Sequence, residues 1–217
     1  MDDAKRLAYQ SSYDRVADEY IRRIFDELQH KPLDRQLLDR FAASVRSVGR
    51  ACDMGCGPGH VARYLHERGV QVCGVDLSST MVERARGLTP AVEFVQGDMT
   101  ASDTLEGVWA GIAAFYSLIH IPPGDMLDAL RELRRVLRPG GLLLLAFHIG
   151  AGVIHLDEWW GHKVCVDFFF FRPDEMVADL RAAGFEIEEI FEREPYPDVE
   201  HQSRRAYIFA RRPTVSG

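Results

Sequence analysis

The sequence is poor in cysteine, in net positive charge and in long apolar runs, and each shortage removes a class of protein. Four cysteines in 217 residues are too few for the disulfide framework of a small secreted domain. Cys52 and Cys56 lack a second pair at zinc-ligand spacing and read as small core or loop residues. Acidic side chains outnumber Lys and Arg by 33 to 26, for a net charge of -7. That balance offers no broad basic face to a phosphate backbone, so no nucleic-acid partner is expected. The longest apolar run, Leu142 to Ile154, is interrupted by His148 and is too short to span a bilayer. No N-terminal stretch joins basic residues, an apolar run and a small-residue cleavage site. The expectation is a soluble, cytoplasmic protein with no membrane contact.

What is present is periodic. Tyr13, Ala17, Tyr20, Ile24 and Leu28 recur at spacings of three and four, one apolar face of a helix that Pro32 breaks. A second helix is expected over Leu33–Val45. Beyond it, short apolar runs alternate with helical patterns: "RACDM", "VQVCGVD", "VEFVQGD", "AGIAAFY" and "LLLLAFH" read as strands. "HVARYLHERG", "SSTMVERARG" and "DMLDALRELRRVLRPGG" read as the helices between them. Such alternation means βαβ units and a parallel sheet buried on both faces. One domain over 1–217 is expected, with a helical cap at 1–45, a nucleotide-binding core at 46–148 and a substrate-side segment at 149–217.

The stretch "ACDMGCGPGH" joins the first strand to the following helix and carries Gly55, Gly57 and Gly59. Backbone N–H groups at such a helix start favour polar or anionic ligand groups, and glycines admit a ligand close to the backbone. The spacing is G-x-G-x-G, with His60 where the dinucleotide fingerprint G-x-G-x-x-G has its last glycine. The P-loop G-x-x-x-x-G-K-[ST] is absent from the sequence. Asp53, two residues before the first glycine, suits a ligand with a positive group better than a pyrophosphate. Asp76 ends the next strand, where an acid commonly accepts both hydroxyls of a ribose. A nucleoside with a cation at the loop is therefore expected, and S-adenosylmethionine (SAM) fits that description. An NAD-dependent oxidoreductase is the disfavoured rival, and a SAM-binding protein without methyl transfer is another.

Over about residues 45–150 the sequence resembles the class I SAM-dependent methyltransferases. "CDMGCGPGHVARYL", "VCGVDLSSTM", "VQGDM", "AAFYSLIHI" and "LRELRRVLRPGGLLLLAF" follow in that family's order. The resemblance implies a Rossmann-like α/β fold with a seven-stranded, mostly parallel sheet whose last strand is antiparallel. "FEIEEIF" and "RAYIFAR" would supply strands six and seven. It also implies that Gly55, Gly57 and Gly59 wrap the methionyl part with Asp53 near its ammonium. Asp76 would take the ribose, Leu77 and Met81 would pack on adenine, and Asp98 with the Met99 backbone would bind its edge. Phe115 would begin the floor near the methyl group, and Tyr13 and Tyr20 would close over the cofactor.

The substrate side is read from "HIGAGVIHLDEWWGHKVCVDFFFF", residues 148–171. It follows the fifth strand, on the side where ligands of open α/β sheets bind. A connection this long is more often a lid or binding wall than a passive link. Trp159 and Trp160 offer flat apolar walls. If the nucleophile must lose a proton, His148 and His155 are candidate bases, with His120 and Tyr116 behind them. His148, His155 and His162 recur every seven residues near acids, yet no metal is expected. Tyr196, and Arg204 as the inward member of the Arg204–Arg205 pair, are candidate substrate contacts. The partner expected is a small molecule, with the protein a monomer or homodimer.

Overall fold

The computed structural model describes residues 2–101 and 106–214. Helix α1 (Asp3–Ile24) begins at Asp2, whose carboxylate accepts from the Lys5 N–H, satisfying a donor that a helix start otherwise leaves orphaned. A 3-10 turn at Glu27–His30 follows. Pro32 then takes the first position of α2 (Pro32–Val45), where its missing N–H has no intrahelical partner to lose. Leu37, Leu38, Phe41 and Val45 form the buried stripe of α2.

From Ala51 the chain alternates as its pattern requires. β1 (Ala51–Met54), α3 (His60–His66), β2 (Val72–Asp76), α4 (Ser79–Leu88) and β3 (Glu93–Gln96) come first. β4 (Trp109–Phe115), α5 (Pro123–Val136) and β5 (Leu137–His148) follow. The helix α5 stops at Val136, and Arg138-Pro139-Gly140-Gly141 already belongs to β5 rather than to the helix tail. Then come β6 (Val153–Trp159), β7 (His162–Phe169), α6 (Pro173–Ala182), β8 (Glu186–Arg193) and β9 (Arg205–Arg211).

Seven strands make one sheet in the order β3-β2-β1-β4-β5-β9-β8. β1 pairs in parallel with both β2 and β4, so the strand order reverses there and opens a crevice at the strands' C-terminal ends. β9, last in the chain, runs antiparallel to β5 and β8. Leu130, Leu133 and Leu180 of α5 and α6 fill one face of the sheet. Leu38, Phe41 and Leu65 of α2 and α3 fill the other.

The segment after β5 is not a loop. β6 and β7 form a separate antiparallel hairpin. Its two-residue turn, Trp160-Gly161, has positive φ at both positions (54° and 82°), the backbone that matches the twist of a hairpin. The hairpin lies against α1. The Ser12 hydroxyl accepts from the Cys165 N–H at 2.9 Å, and the Tyr9 hydroxyl donates to Asp167 at 3.0 Å. Val16 packs with Val164 and Val166. Asp14 ties α1 to the start of α4, accepting from the Ser78 hydroxyl and the Thr80 N–H. Helix and hairpin together roof the crevice.

Candidate active site

Two cavities meet beneath that roof. The first follows the glycine loop and the ends of β2, β3 and β4. It encloses about 110 Å³. The second encloses about 400 Å³ between the hairpin, β5 and the segment before β9. Tyr13, Tyr20 and Tyr116 line both and frame the passage between them.

In the first cavity Gly55 and Gly57 have φ of 72° and 51°, a region open chiefly to glycine. The Gly55 and Cys56 N–H groups donate to the Val75 carbonyl, so β2 holds the loop in shape. Asp76 accepts from the Gly57 N–H at 2.7 Å and the Ser78 N–H at 2.8 Å, and burial pushes it up to about 6. Leu77, Met99 and Phe115 line the same space. So does Asp98, which one carboxylate oxygen fixes through the Thr100 N–H and hydroxyl.

Three residues expected at the cofactor do not line this cavity. Asp53 is 1 % exposed, accepts from the Ala62 N–H at 2.9 Å, and is pushed up to about 7 by burial. It caps the start of α3 behind the loop. Gly59 is where α3 meets the sheet, and a Cβ there would strike the Phe94 ring. Met81 is buried in the first turn of α4, below the cavity lining. Helix packing explains all three without a ligand.

The passage is chemically asymmetric. The Asp167 carbonyl, 2.8 Å from His120 Nδ1, can only accept, so Nδ1 carries the ring proton. His120 Nε2 therefore accepts from the Tyr13 hydroxyl at 2.6 Å. With its proton committed, Tyr13 Oη offers a ligand only lone pairs. Burial lowers His120 to about 4. Tyr116 has φ 52° at the end of β4, an uncommon backbone for a bulky residue. Its hydroxyl lies 2.9 Å from that of Tyr207 and donates toward Asp34. Burial among them raises it well above a phenol's usual range. Tyr116 thus contributes a ring wall, and its hydroxyl is no base.

The second cavity has aromatic sides and a charged end. Trp159 and Trp160 stack with centroids 4.5 Å apart, and Tyr20 meets both edge-on. His148 lies against Tyr116 and Phe170, with Nδ1 2.9 Å from the Ser203 hydroxyl. Burial, then Arg205, His201 and Lys31, lower it to about 3 against the opposing pull of Glu200. Lys31, 3 % exposed, donates to Glu27 and pairs with Glu200. Arg205, 2 % exposed, pairs with Glu200 and donates to the His201 carbonyl. Both cations sit 5.5 Å from the Tyr116 ring centre.

Arg204, the expected contact, points outward to Glu192 and Glu194. Strand parity turns Arg205 inward instead. His155 is 44 % exposed and held by Asp167 and Asp157 on the outer side of the hairpin, away from both cavities. Tyr196 lies beneath Arg193, its hydroxyl accepting from the Leu33 N–H; it anchors α2. Glu27 and Lys31 stand at the i,i+4 spacing of a local ion pair, a signal missed in the sequence, whereas no local pattern announces their shared neighbour Glu200, which comes from the far end of the chain. Among the described residues no cluster of His, Cys, Asp or Glu could hold a metal, and no helix is long and apolar enough to cross a membrane.

Residues 51–141 match the methyltransferase domain family. A malonyl-[acyl-carrier protein] O-methyltransferase from Enterobacter lignolyticus is 33 % identical over 61 % of this chain and 53 % of its own length. A trans-aconitate 2-methyltransferase from Azoarcus is 37 % identical over 61 % of this chain and 47 % of its own. The chain spans about half the length of these curated relatives. Among solved structures, the CcbJ methyltransferase of Streptomyces caelestis superposes with a TM-score of 0.70 at 19 % identity, covering 93 % of this chain and 98 % of that one.

Proposed function

We propose, for a chain whose motifs and fold belong to the class I SAM-dependent methyltransferases, methyl transfer from SAM to a small-molecule nucleophile. The observation that carries the reading is the junction: a nucleoside-type cleft and an aromatic cavity lie side by side and share Tyr13, Tyr20 and Tyr116 in their walls. The residues present fit the cofactor. Asp76 and Asp98 supply acceptors for ribose hydroxyls and a base amine, and Gly55 and Gly57 leave the loop backbone free of side chains. Bound there, SAM supplies an electrophilic methyl group on a sulfonium.

The chain's own work is alignment and exclusion of water. Tyr13 turns lone pairs rather than a proton toward the junction, the sign of charge that suits a sulfonium-borne methyl. Tyr116 is held in a strained backbone by Tyr207 and Asp34, which fixes the wall opposite. Trp159 and Trp160 flank the acceptor cavity. The O-methyltransferase relative supports an oxygen acceptor.

Calorimetry with S-adenosylhomocysteine tests the cofactor assignment. The wild-type chain should bind it and ignore NADH. Asp76→Ala, which removes charge-assisted bonds to the ribose, should lose at least about tenfold in affinity. Equal affinity in a folded variant would remove the nucleoside assignment. Binding without release of S-adenosylhomocysteine from SAM for any acceptor would favour the non-transferring rival.

A further inference from the structure

We propose that the amino-acid end of the cofactor is held by His60 and Ser117, the His60 Nδ1 lone pair accepting from its ammonium and the Ser117 hydroxyl donating to its carboxylate. This rests on the SAM reading above, and it moves the ammonium away from Asp53, the acid that the motif offers for it. The first ground is two polar atoms that the fold leaves unpaired. His60 Nδ1 and Ser117 Oγ are buried without a hydrogen-bond partner, and both residues line the first cavity. A buried donor or acceptor left so is costly, which makes each a place for a ligand atom. The His60 side chain is 11 % exposed. Ser117 is 7 % exposed, and its Oγ lies 3.1 Å from where a Cβ on Gly55 would stand. Asp53, by contrast, is outside the lining and spends a carboxylate oxygen on the Ala62 N–H.

The second ground is the polarity of each atom. Glu27 Oε1 lies 3.4 Å from His60 Nε2. Against burial, which would raise it, His60 and Lys31 hold Glu27 at about 2, so its carboxylate is ionised and only accepts. Nε2 therefore carries the ring proton, and the unpaired Nδ1 presents a lone pair. The Ser117 hydroxyl has a proton to give, and no acceptor in the protein takes it. One orphan acceptor and one orphan donor match the two charged groups of an α-amino acid.

The third ground is what the glycine loop itself cannot do. The N–H groups of Gly55, Cys56, Gly57 and Gly59 all donate within the protein, and Pro58 has none. No Lys or Arg stands among the described residues of the lining. A carboxylate at the loop must therefore find its donor on a neutral side chain. Tyr9 and Tyr13 have given their protons to Asp167 and His120, whereas Ser117 has kept its own. Glu27 stands in the turn after α1, so the roof reaches the amino-acid end of the cofactor through the pair it makes with His60.

The test is calorimetry on the whole protein with S-adenosylhomocysteine, its desamino analogue, its decarboxylated analogue, and methylthioadenosine, which lacks the amino acid altogether. The wild-type chain should bind S-adenosylhomocysteine at least about tenfold more tightly than either truncated analogue. His60→Ala should weaken S-adenosylhomocysteine and the decarboxylated analogue about tenfold, and leave the desamino analogue and methylthioadenosine within about twofold of wild type. Ser117→Ala should instead weaken the two ligands that carry a carboxylate. His60→Asn, whose amide oxygen can stand in for the Nδ1 lone pair, should recover most of the His60→Ala loss. Asp53→Asn should leave all four affinities unchanged. Should the alanine variants not fold, the wild-type series and Asp53→Asn decide. Equal wild-type affinity for S-adenosylhomocysteine and its desamino analogue, a His60→Ala loss that methylthioadenosine shares in full, or an Asp53→Asn loss confined to the ammonium-bearing ligands would overturn the inference. Failure of the wild-type chain to bind S-adenosylhomocysteine would instead overturn the cofactor reading beneath it.

Discussion

Gly55 and Gly57 share a motif, a positive φ and a cavity, yet their substitutions should part company. A Cβ on Gly55 would overlap that of Ser117, whereas one on Gly57 meets nothing nearer than the Tyr20 ring edge at 3.8 Å. Gly57→Ala therefore costs only the left-handed backbone penalty, about 1–2 kcal/mol, while its methyl group stands where a ligand must approach. Denaturant unfolding should find Gly57→Ala folded with S-adenosylhomocysteine binding reduced at least about tenfold, and Gly55→Ala more destabilised. A Gly57→Ala protein with full affinity would mean the loop only turns the chain. The same residue scale shows what was legible. Asp76, Asp98 and the two glycines stand in motifs whose order along the chain fixes their places, and the structure gathers them into one cleft. Asp53 and Gly59 stand in the same motif but serve the helix behind it. A motif fixes a residue's neighbourhood, and not which way its side chain faces. The Arg204–Arg205 pair makes the point again: parity says that one faces in, and only the register of β9 says which.

At the scale of elements, strands buried on both faces and helices with one stripe announce themselves, and β1 to β5 with their helices come in the order the pattern gives, although α3 and α5 end earlier than it predicts and β5 begins earlier. The β6–β7 hairpin does not, because its strands are half exposed and its turn is Trp-Gly rather than the Asn-Gly or Asp-Gly signal of such turns. Its partner is α1, joined through Ser12, Tyr9 and Asp167, so the two should move together. Asp14 is the latch, bonded to Ser78 and Thr80 beside Asp76. Hydrogen exchange in Asp3–Ile24 and His162–Phe169 should slow in parallel when S-adenosylhomocysteine is added, since a ligand of the closed form lowers the open population. Asp14→Ala should quicken exchange in both elements without ligand. Slowing in α1 with no change in the hairpin would show that the roof is two pieces.

Over the whole molecule, buried titratable groups set opposing pH dependences. Asp53 and Asp76 are pushed up to about 7 and about 6. The folded protein keeps their protons where the unfolded chain has released them, so they make stability fall as pH rises from about 4 toward 7. His120 and His148 are pushed down to about 4 and about 3. There the unfolded chain binds the extra protons, so these two make stability rise with pH up to about 6.5. Two groups oppose two over nearly the same window, and the stability of the ligand-free protein should vary by less than about 1 kcal/mol between pH 5 and 6.5. Below about pH 4 the two raised acids are protonated in both states and no longer oppose the histidines. Glu27, Glu200 and Asp167, each held near 2 by hydrogen bonds and cations that outweigh burial, contribute stability above their unfolded values near 4 that is lost as pH falls toward 2. Urea unfolding across pH 3–7 should give a plateau with a steep acid edge. Asp76→Asn removes one of the two acids and leaves both histidines, so its plateau should tilt upward by about 1–2 kcal/mol from pH 5 to 6.5. A wild-type curve that already climbs by that amount would mean that Asp53 and Asp76 are ionised beneath the closed roof, and that the crevice is wetter than its burial implies.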